Sequence, residues 1–222
     1  MTQIKLGEIT VDVVRKDIKN IHLSVYPPTG RVRISAPSRI KLETIRVYAV
    51  SKLGWIKKQQ EKLRSQERET PRDYITRESH YFMGKRYLLK ITETDATQTV
   101  VLRHREIELV VKKGADLKQK QKLLEDWYRK RLRQSAGKYI AFWEKQMNLK
   151  VAEFGIKRMR TKWGSCNREA KRIWLNLELA KKPKECLEYI VGHEMVHVLE
   201  RNHGTRFVAL MDQFLPQWRQ YK

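Results

Sequence analysis

The sequence predicts an α+β fold. Three observations carry this: short runs that alternate apolar and polar residues in the first half, a long central stretch with apolar residues at helical spacing, and a third, shorter helical pattern near the C-terminal end. Strands show a period of two and helices a period of 3.6, so the two kinds of segment separate by pattern alone.

The elements follow in order. Ile21, Leu23 and Val25 alternate with His22, Ser24 and Tyr26; Pro27-Pro28-Thr29-Gly30 turns the chain, and Val32 and Ile34 resume the alternation up to Pro37. This reads as a β-hairpin. Leu42, Ile45, Ala49, Leu53, Ile56 and Leu63 then have helical spacing and predict one helix. The charged stretch Ser65 to Asp73, with Pro71, is the linker candidate. Tyr81 to Ile91, Thr99 to Leu102 and Ile107 to Val111 are β-rich runs between polar turns and suggest a β-meander. From about Leu117 to Met147 the stripe Leu124, Tyr128, Leu132, Ala136, Tyr139, Ile140, Trp143 and Met147 predicts a long helix. Its off-stripe Lys118, Lys122, Arg129 and Arg133 form a solvated face that could touch phosphates. Ile156 to Lys162 and Ile173 to Leu179 read as strands around a Trp163-Gly164-Ser165-Cys166-Asn167 turn. Pro183 suits the first turn of a helix running to about Leu199, and Thr205 can cap a final helix through Leu215, before Pro216. The expected organisation is a hairpin-plus-helix unit over residues 1–70, a meander over 71–115 and a helical core over 116–222, segments that can also form one continuous domain. No internal repeat is visible.

Composition bounds the function. The chain has 222 residues, 41% apolar and 33% charged, which reads as globular rather than disordered. Lys and Arg number 48 against 25 Asp and Glu, a net charge of +23. That balance favours an anionic partner such as nucleic acid or a nucleotide. No stretch approaches the roughly 20 apolar residues that span a bilayer. The first ten residues hold no apolar run of the secretory kind, so a cytoplasmic location is the default expectation. Cys166 and Cys186 form no Cys-x-x-Cys pair, which argues against a disulfide framework or a cysteine zinc knuckle.

The chemistry concentrates in His193-Glu194-Met195-Val196-His197. On a helix, residues four apart share a face, so both imidazoles can aim at one divalent ion. Glu194 lies about 100° around the helix, placed to take a proton from a water that the ion polarises. Leu187, Ile190, Val191, Met195 and Val198 flank the motif and predict a buried helix, where polar groups are expensive unless they find partners. A catalytic zinc takes three protein ligands. Downstream acids are only Glu200 and Asp212; Glu200, three residues from His197, would serve only with local distortion. His203 is the better third ligand, but on an unbroken helix it would lie about 15 Å beyond His193. The chain must therefore turn after Leu199, and Gly204 tolerates the turn. The expected set is one zinc per chain on His193, His197 and His203, with Glu194 as general base. His22, His80 and His104 have no ligand spacing and are expected to be ordinary histidines. Tyr189, Arg206 and Ser165 are unranked candidates for stabilising the transition state.

These residues resemble the YgjP-like metallopeptidase family, which is related to the SprT-like and WLM zinc proteases. The resemblance rests on Trp163-Gly164-Ser165-Cys166, Ile173-Trp174-Leu175-Asn176, Tyr189 to His197, Asn202-His203-Gly204 and Phe207, with Gly30 to Pro37 and Leu53-Gly54-Trp55-Ile56 further upstream. It implies a minimal zincin-like core with the metal on a C-terminal helix. The family often carries Trp after the Phe position, where this chain has Val208. The metzincin pattern shares the histidine spacing but has Gly where this chain has Glu200, and its methionine turn is missing, since Met211 lies in a helical pattern. Three functions remain in play: a zinc peptidase acting on protein or peptide, at or away from nucleic acid; a nucleotide pyrophosphatase, since family members have been described as acting on UTP; and a basic nucleic-acid-binding protein whose metal is structural, with Cys166 as fourth ligand. For the first, the strand Ile173 to Leu179 could pair with an extended peptide. For the second speak Lys157, Arg158, Arg160 and Lys162.

Overall fold

The computed structural model describes residues 2–26, 29–65 and 72–221. The chain forms two compact units, Met1–Thr70 and Pro71–Lys222. The expected linker, Ser65 to Asp73, falls largely outside the described residues.

In the first unit the expected hairpin is present as β3 (His22–Tyr26) and β4 (Arg31–Pro37), antiparallel, with Leu23 opposite Ile34 and Val25 opposite Val32. A second hairpin precedes it, β1 (Thr2–Leu6) and β2 (Ile9–Lys16), turning at Gly7 with φ 61°. Ile4 and Leu6, then Ile9, Val11 and Val13, carry the period of two of this hairpin, which was not among the expected elements. The sheet order is β1-β2-β4-β3, with β2 and β4 parallel at the centre. Val11, Val13, Val32, Ile34 and Ala36 bury one face against Ile45, Ala49 and Ile56. Those last three sit on two helices, α1 (Leu42–Ser51) and α2 (Leu53–Ser65), where one was expected. Lys52 leaves helical geometry at φ −102°, ψ 7° and ends α1. Asp12, nearly buried, accepts hydrogen bonds from Gln3 Nε2 at 2.9 Å and Arg31 Nε at 2.5 Å. These two partners hold its carboxyl below the usual range.

The second unit begins with β5 (Ser79–Phe82), β6 (Lys85–Thr94), β7 (Thr99–Leu102) and β8 (Glu106–Lys112). The expected meander is corrected: the order is β5-β6-β8-β7, and β6 runs parallel to β8, with Leu89 opposite Ile107 and Ile91 opposite Leu109. β6 and β8 take the centre, where they are paired on both sides, and they carry the buried Leu89, Ile107, Leu109 and Val111. The run Tyr81 to Ile91 is broken by Met83 and Gly84, both at positive φ (47° and 78°), the requirement of a two-residue hairpin turn. This sheet repeats the topology of the first.

The long helix is α3 (Leu117–Gln146). Asp116 accepts from Gln119 N at 2.7 Å, while Gln119 Oε1 accepts from Asp116 N at 3.0 Å. This capping box satisfies the orphan donors at the helix start. The expected stripe is buried, with Trp127 added and Tyr139 at its margin.

A three-stranded sheet follows: β9 (Glu153–Lys157), β10 (Gly164–Asn167) and β11 (Arg172–Asn176), in the order β10-β11-β9. Two expectations change here. Trp163 to Asn167 is not a turn: Gly164–Asn167 is itself a strand, antiparallel to β11, and the chain reverses at residues 168–171. Residues 158–163 are not strand but a loop. Asn176 holds that loop, donating to Met159 O at 3.0 Å and Lys162 O at 2.8 Å. Its Oδ1 accepts from Glu178 N and starts a 3-10 turn, Leu177–Lys181, where further strand was expected.

Pro183 precedes α4 (Lys184–Leu199), and Gly204 rather than Thr205 occupies the cap of α5 (Thr205–Phe214). One apolar core joins Leu89 and Leu109 of the sheet, Leu124 and Leu132 of α3, Leu175 of β11, and Leu187, Val191 and Met195 of α4. Residues 71–115 and 116–222 therefore share a core.

Candidate metal centre

α4 is buried through Leu187, Val191, Met195 and Val198. Gly192 stands where Leu215 closes in: an added Cβ would lie 2.8 Å from Leu215 Cδ1. Glycine inside a helix costs about 1 kcal/mol against alanine, and this approach is what it permits. His193 and His197 share one face, with ring centroids 4.8 Å apart.

α4 ends at Leu199, and Glu200 is extended at φ −135°, ψ 120°. The chain turns back and brings His203 to the same spot. Its Nε2 lies 3.0 Å from His197 Nε2 and 3.2 Å from His193 Nε2. The donor atoms of the three residues all lie within 4.8 Å of one another, and among the described residues no other such group of His, Cys, Asp or Glu occurs. Two nitrogens bound to one tetrahedral zinc at about 2.0–2.1 Å stand about 3.3 Å apart. The observed edges are close to that value, so the donor set fits a single ion. His197 Nδ1 meets the Glu200 carbonyl at 3.0 Å. A proton on Nδ1 there leaves the Nε2 lone pair facing the other histidines, the orienting role that carbonyls play around metal-ligating imidazoles. Burial lowers the His197 pKa and favours its neutral form, the form a metal would need.

Phe207, in the first turns of α5, is 2% exposed. Its ring lies 5.1, 4.7 and 4.6 Å from the rings of His193, His197 and His203. It walls all three imidazoles with one apolar surface.

Glu194 is 6% exposed. Burial pushes its carboxyl up to about 7, partly opposed by Lys162. A carboxyl in that range suits proton transfer near neutral pH. Gly164 of β10 lies against it: a Cβ there would stand 2.7 Å from Glu194 Cγ and Oε1. The glycine of the Trp-Gly-Ser-Cys segment is thus the position at which strand backbone meets this carboxylate. The sequence reading quoted the segment without its role, as it did for Phe207 and Asn176. Each acts through a tertiary contact that no spacing encodes.

The three histidines and Glu194 open into a cleft of about 1040 Å³, walled by β10, Trp163, Lys162, Arg168, Tyr189 and Arg201. Ser165 and Tyr189 line it; Arg206 does not, and its nearest acid is Glu200 at 3.9 Å. Cys166 also lines the cleft but stands outside the three-histidine group. Burial, then the charge of Glu194, pushes its thiol up to about 11. Glu200 uses its carbonyl on His197 and its carboxylate on Asn202 N at 3.2 Å. Asp212 accepts from Trp218 Nε1 at 2.8 Å, away from the histidines. His22 and His104 are exposed. His80 is buried and paired with Glu78 at 2.9 Å. Of the cations before β10, Lys162 reaches the cleft wall, Arg158 pairs with Glu125 at 2.6 Å and Lys157 stacks over Trp174 at 4.6 Å.

An α+β chain with three convergent imidazoles beside a buried carboxyl falls in the class of metal-dependent hydrolases. The chain belongs to the YgjP-like metallopeptidase family: the profile described as YgjP-like, metallopeptidase domain matches residues 19–222. Among solved structures it is similar to the metallopeptidase zymogen abylysin of Pyrococcus abyssi, at 13% identity and TM-score 0.36 over 39% of this chain and 87% of that one. It is also similar to the zymogen jannalysin of Methanocaldococcus jannaschii, at 23% identity and TM-score 0.32 over 38% and 81%. No curated protein matches the sequence significantly. No helix among the described residues is long and apolar enough to cross a membrane.

Proposed function

We propose that the protein is a zinc-dependent peptidase in which His193, His197 and His203 hold one zinc and Glu194 is the general base. The observation that carries this reading is the convergence of three Nε2 atoms at 3.0 and 3.2 Å beside a carboxyl pushed up to about 7. An ion held there supplies Lewis acidity toward a water and the scissile carbonyl. The chain's own groups do the rest. Glu194 accepts the proton of the attacking water and returns it to the leaving amine. The Glu200 carbonyl keeps His197 in its ligating orientation, and Phe207 keeps water from the far side of the three rings. Ser165 and Tyr189 are the candidates within the cleft for holding the developing oxyanion.

The peptide-binding strand is reassigned. β11, which from the sequence could equally be a peptide-pairing strand or interior sheet, is paired on both sides. β10 ends the sheet order and lines the cleft along its whole length. An extended peptide adding to its open edge would run past the metal ligands, with main-chain hydrogen bonds giving affinity.

One observation favours a second reading. Lys162, Arg168 and Arg201 line the cleft, and such cations suit an anionic substrate such as a nucleotide, or a protein held at nucleic acid. The discriminating experiment incubates zinc-loaded protein and Glu194→Gln with an unfolded protein, with and without DNA, and separately with UTP. Proteolysis lost in Glu194→Gln supports the peptidase. UTP cleavage without proteolysis overturns it, and so does a chain that stays metal-free after zinc addition.

A further inference from the structure

Tyr189 lines two cavities. One is the cleft above; the other, about 220 Å³, is lined by Trp143 of α3, Glu185 and Glu188 of α4, and Phe214, Trp218 and Tyr221 of the C-terminal segment. Its volume lies below the roughly 300–1,000 Å³ that engulfs a whole small molecule. It suits a single long side chain.

The lining has two parts. Aromatic rings make one, and the carboxylates of Glu185 and Glu188 make the other. Three residues apart on a helix, those carboxylates share a face, where like charges repel. Both are half-buried, and neither makes an ion pair or a hydrogen bond among the described residues. This is unexpected in a chain with 48 Lys and Arg against 25 Asp and Glu. Burial raises the pKa of Tyr139 on α3, and Glu188 and Glu185 raise it further, which places both charges toward α3. Trp143, 6% exposed, adds its ring to the lining, and its indole N–H, with no acceptor among the described residues, is a donor for a carbonyl of the same ligand rather than for its cation. Aromatic rings beside carboxylates without an ion pair are the chemistry that recognises an organic cation, and the Trp218 ring already carries one, Arg219 Cζ at 4.7 Å from its centroid.

We propose that this cavity is a subsite for a lysine or arginine side chain of the substrate, held while the peptide main chain occupies the adjoining cleft at Tyr189. The word substrate rests on the peptidase reading; binding of the cation does not. The ammonium or guanidinium sits between the ring faces and the two carboxylates, and its methylene stem packs on Phe214 and Trp218. Specificity is then local, within a molecule whose overall charge is of the opposite sense.

The test uses the full chain loaded with zinc. Nα-acetyl-lysine methylamide, its arginine counterpart and the neutral norleucine isostere are titrated while the indole N–H resonances are followed by NMR. The cationic probes should bind at least about tenfold more tightly than norleucine, with shifts at Trp143 and Trp218. Glu185→Gln/Glu188→Gln should erase that difference. Should the double variant not fold, Glu188→Gln alone and the loss of binding at high salt read the same quantity. Equal affinity for norleucine, or a preference untouched by the variants, overturns the proposal. In a second arm, a peptide mixture is digested: wild type should cleave at a fixed distance from Lys or Arg, and the variant should lose that preference. Cleavage without it overturns the subsite and spares the peptidase. If wild type cleaves no peptide, the peptidase reading fails and the titration alone decides the pocket.

Discussion

In the sheet of residues 2–37 and again in that of residues 79–112, two hairpins meet through parallel inner strands, β2 with β4 and β6 with β8. Each first hairpin turns at a glycine with positive φ, Gly7 at 61° and Gly84 at 78°. Around Gly7 a Cβ would meet nothing within 4 Å, whereas at Gly84 it would lie 3.0 Å from Pro183 Cα. The neighbouring amides of the second turn are also committed, Met83 N to Ala180 O at 2.8 Å and Gly84 N to Lys181 O at 3.2 Å. The first turn ends a sheet whose core is closed by its own helices. The second is docked against the residues that start α4, the helix carrying His193, Glu194 and His197. One topology thus serves two purposes, and attachment rather than strand order decides which.

Glu194→Gln should lower kcat/KM by about 10²–10⁴-fold with bound zinc unchanged by elemental analysis. Its counterpart among the acids of the first unit, Asp12→Asn, should leave kcat/KM alone and lower only stability. If both variants abolish turnover, the two units do not divide the labour as described. Gly164→Ala places a methyl group 2.7 Å from the Glu194 carboxyl, and with Glu194 as the proposed base its displacement should cost about 10²-fold in kcat. Wild-type kcat in that variant would show that the strand does not position the base.

Two core truncations come next. Phe207→Ala should cost about 3–5 kcal/mol and Ile34→Ala about 2–5 kcal/mol by urea unfolding. Only the first should also weaken zinc retention against a chelator. At the turns, Gly7→Ala and Gly84→Ala each force a non-glycine residue to positive φ, at about 1–2 kcal/mol. Gly84→Ala alone must push Pro183 and should therefore also reduce activity; equal activity in the two variants would refute the docking argument.

The smallest effect is on pH dependence. Burial lowers the His80 pKa from the ordinary 6.5, so the unfolded chain takes up its proton first as pH falls. The stability of the second unit is complete above 6.5 and drains below it; in metal-free protein His197 acts in the same direction. Asp12 is held below the ordinary 3.8 by Gln3 and Arg31, so its contribution lasts until the pH falls below 3.8. Hydrogen exchange at pH 7.5 and pH 5 should show faster opening in the second unit only.

Local patterns made much of this legible from sequence. The i, i+4 histidines, the stripe of α3 and the need for a break before His203 all follow from helix geometry. The strand order did not follow, because nothing local tells β6 to pair with β8 rather than β7. For the same reason the repeat of topology left no trace as a repeat of residues. The split at Lys52 escaped notice because Leu53 and Ile56 continue the apolar spacing across it. Gly164 and Asn176 were visible as letters but not as roles, since one is defined by a carboxylate 30 residues away and the other by a loop folded back upon it.

Glu200 has a consequence for how the site assembles. Its amide donates to Val196 O at 2.8 Å, its carbonyl meets His197 Nδ1 and its carboxylate accepts from Asn202 N. All three groups act within a stretch of eight residues that contains two of the three histidines. The interval from His197 to His203 therefore works as a ruler: one residue more or fewer would misdirect His203 and unfasten the loop in the same stroke. In the proposed centre the histidines are in this sense not three independent hands on one ion. Two of them share a single wrist, and the centre forms or fails as a whole.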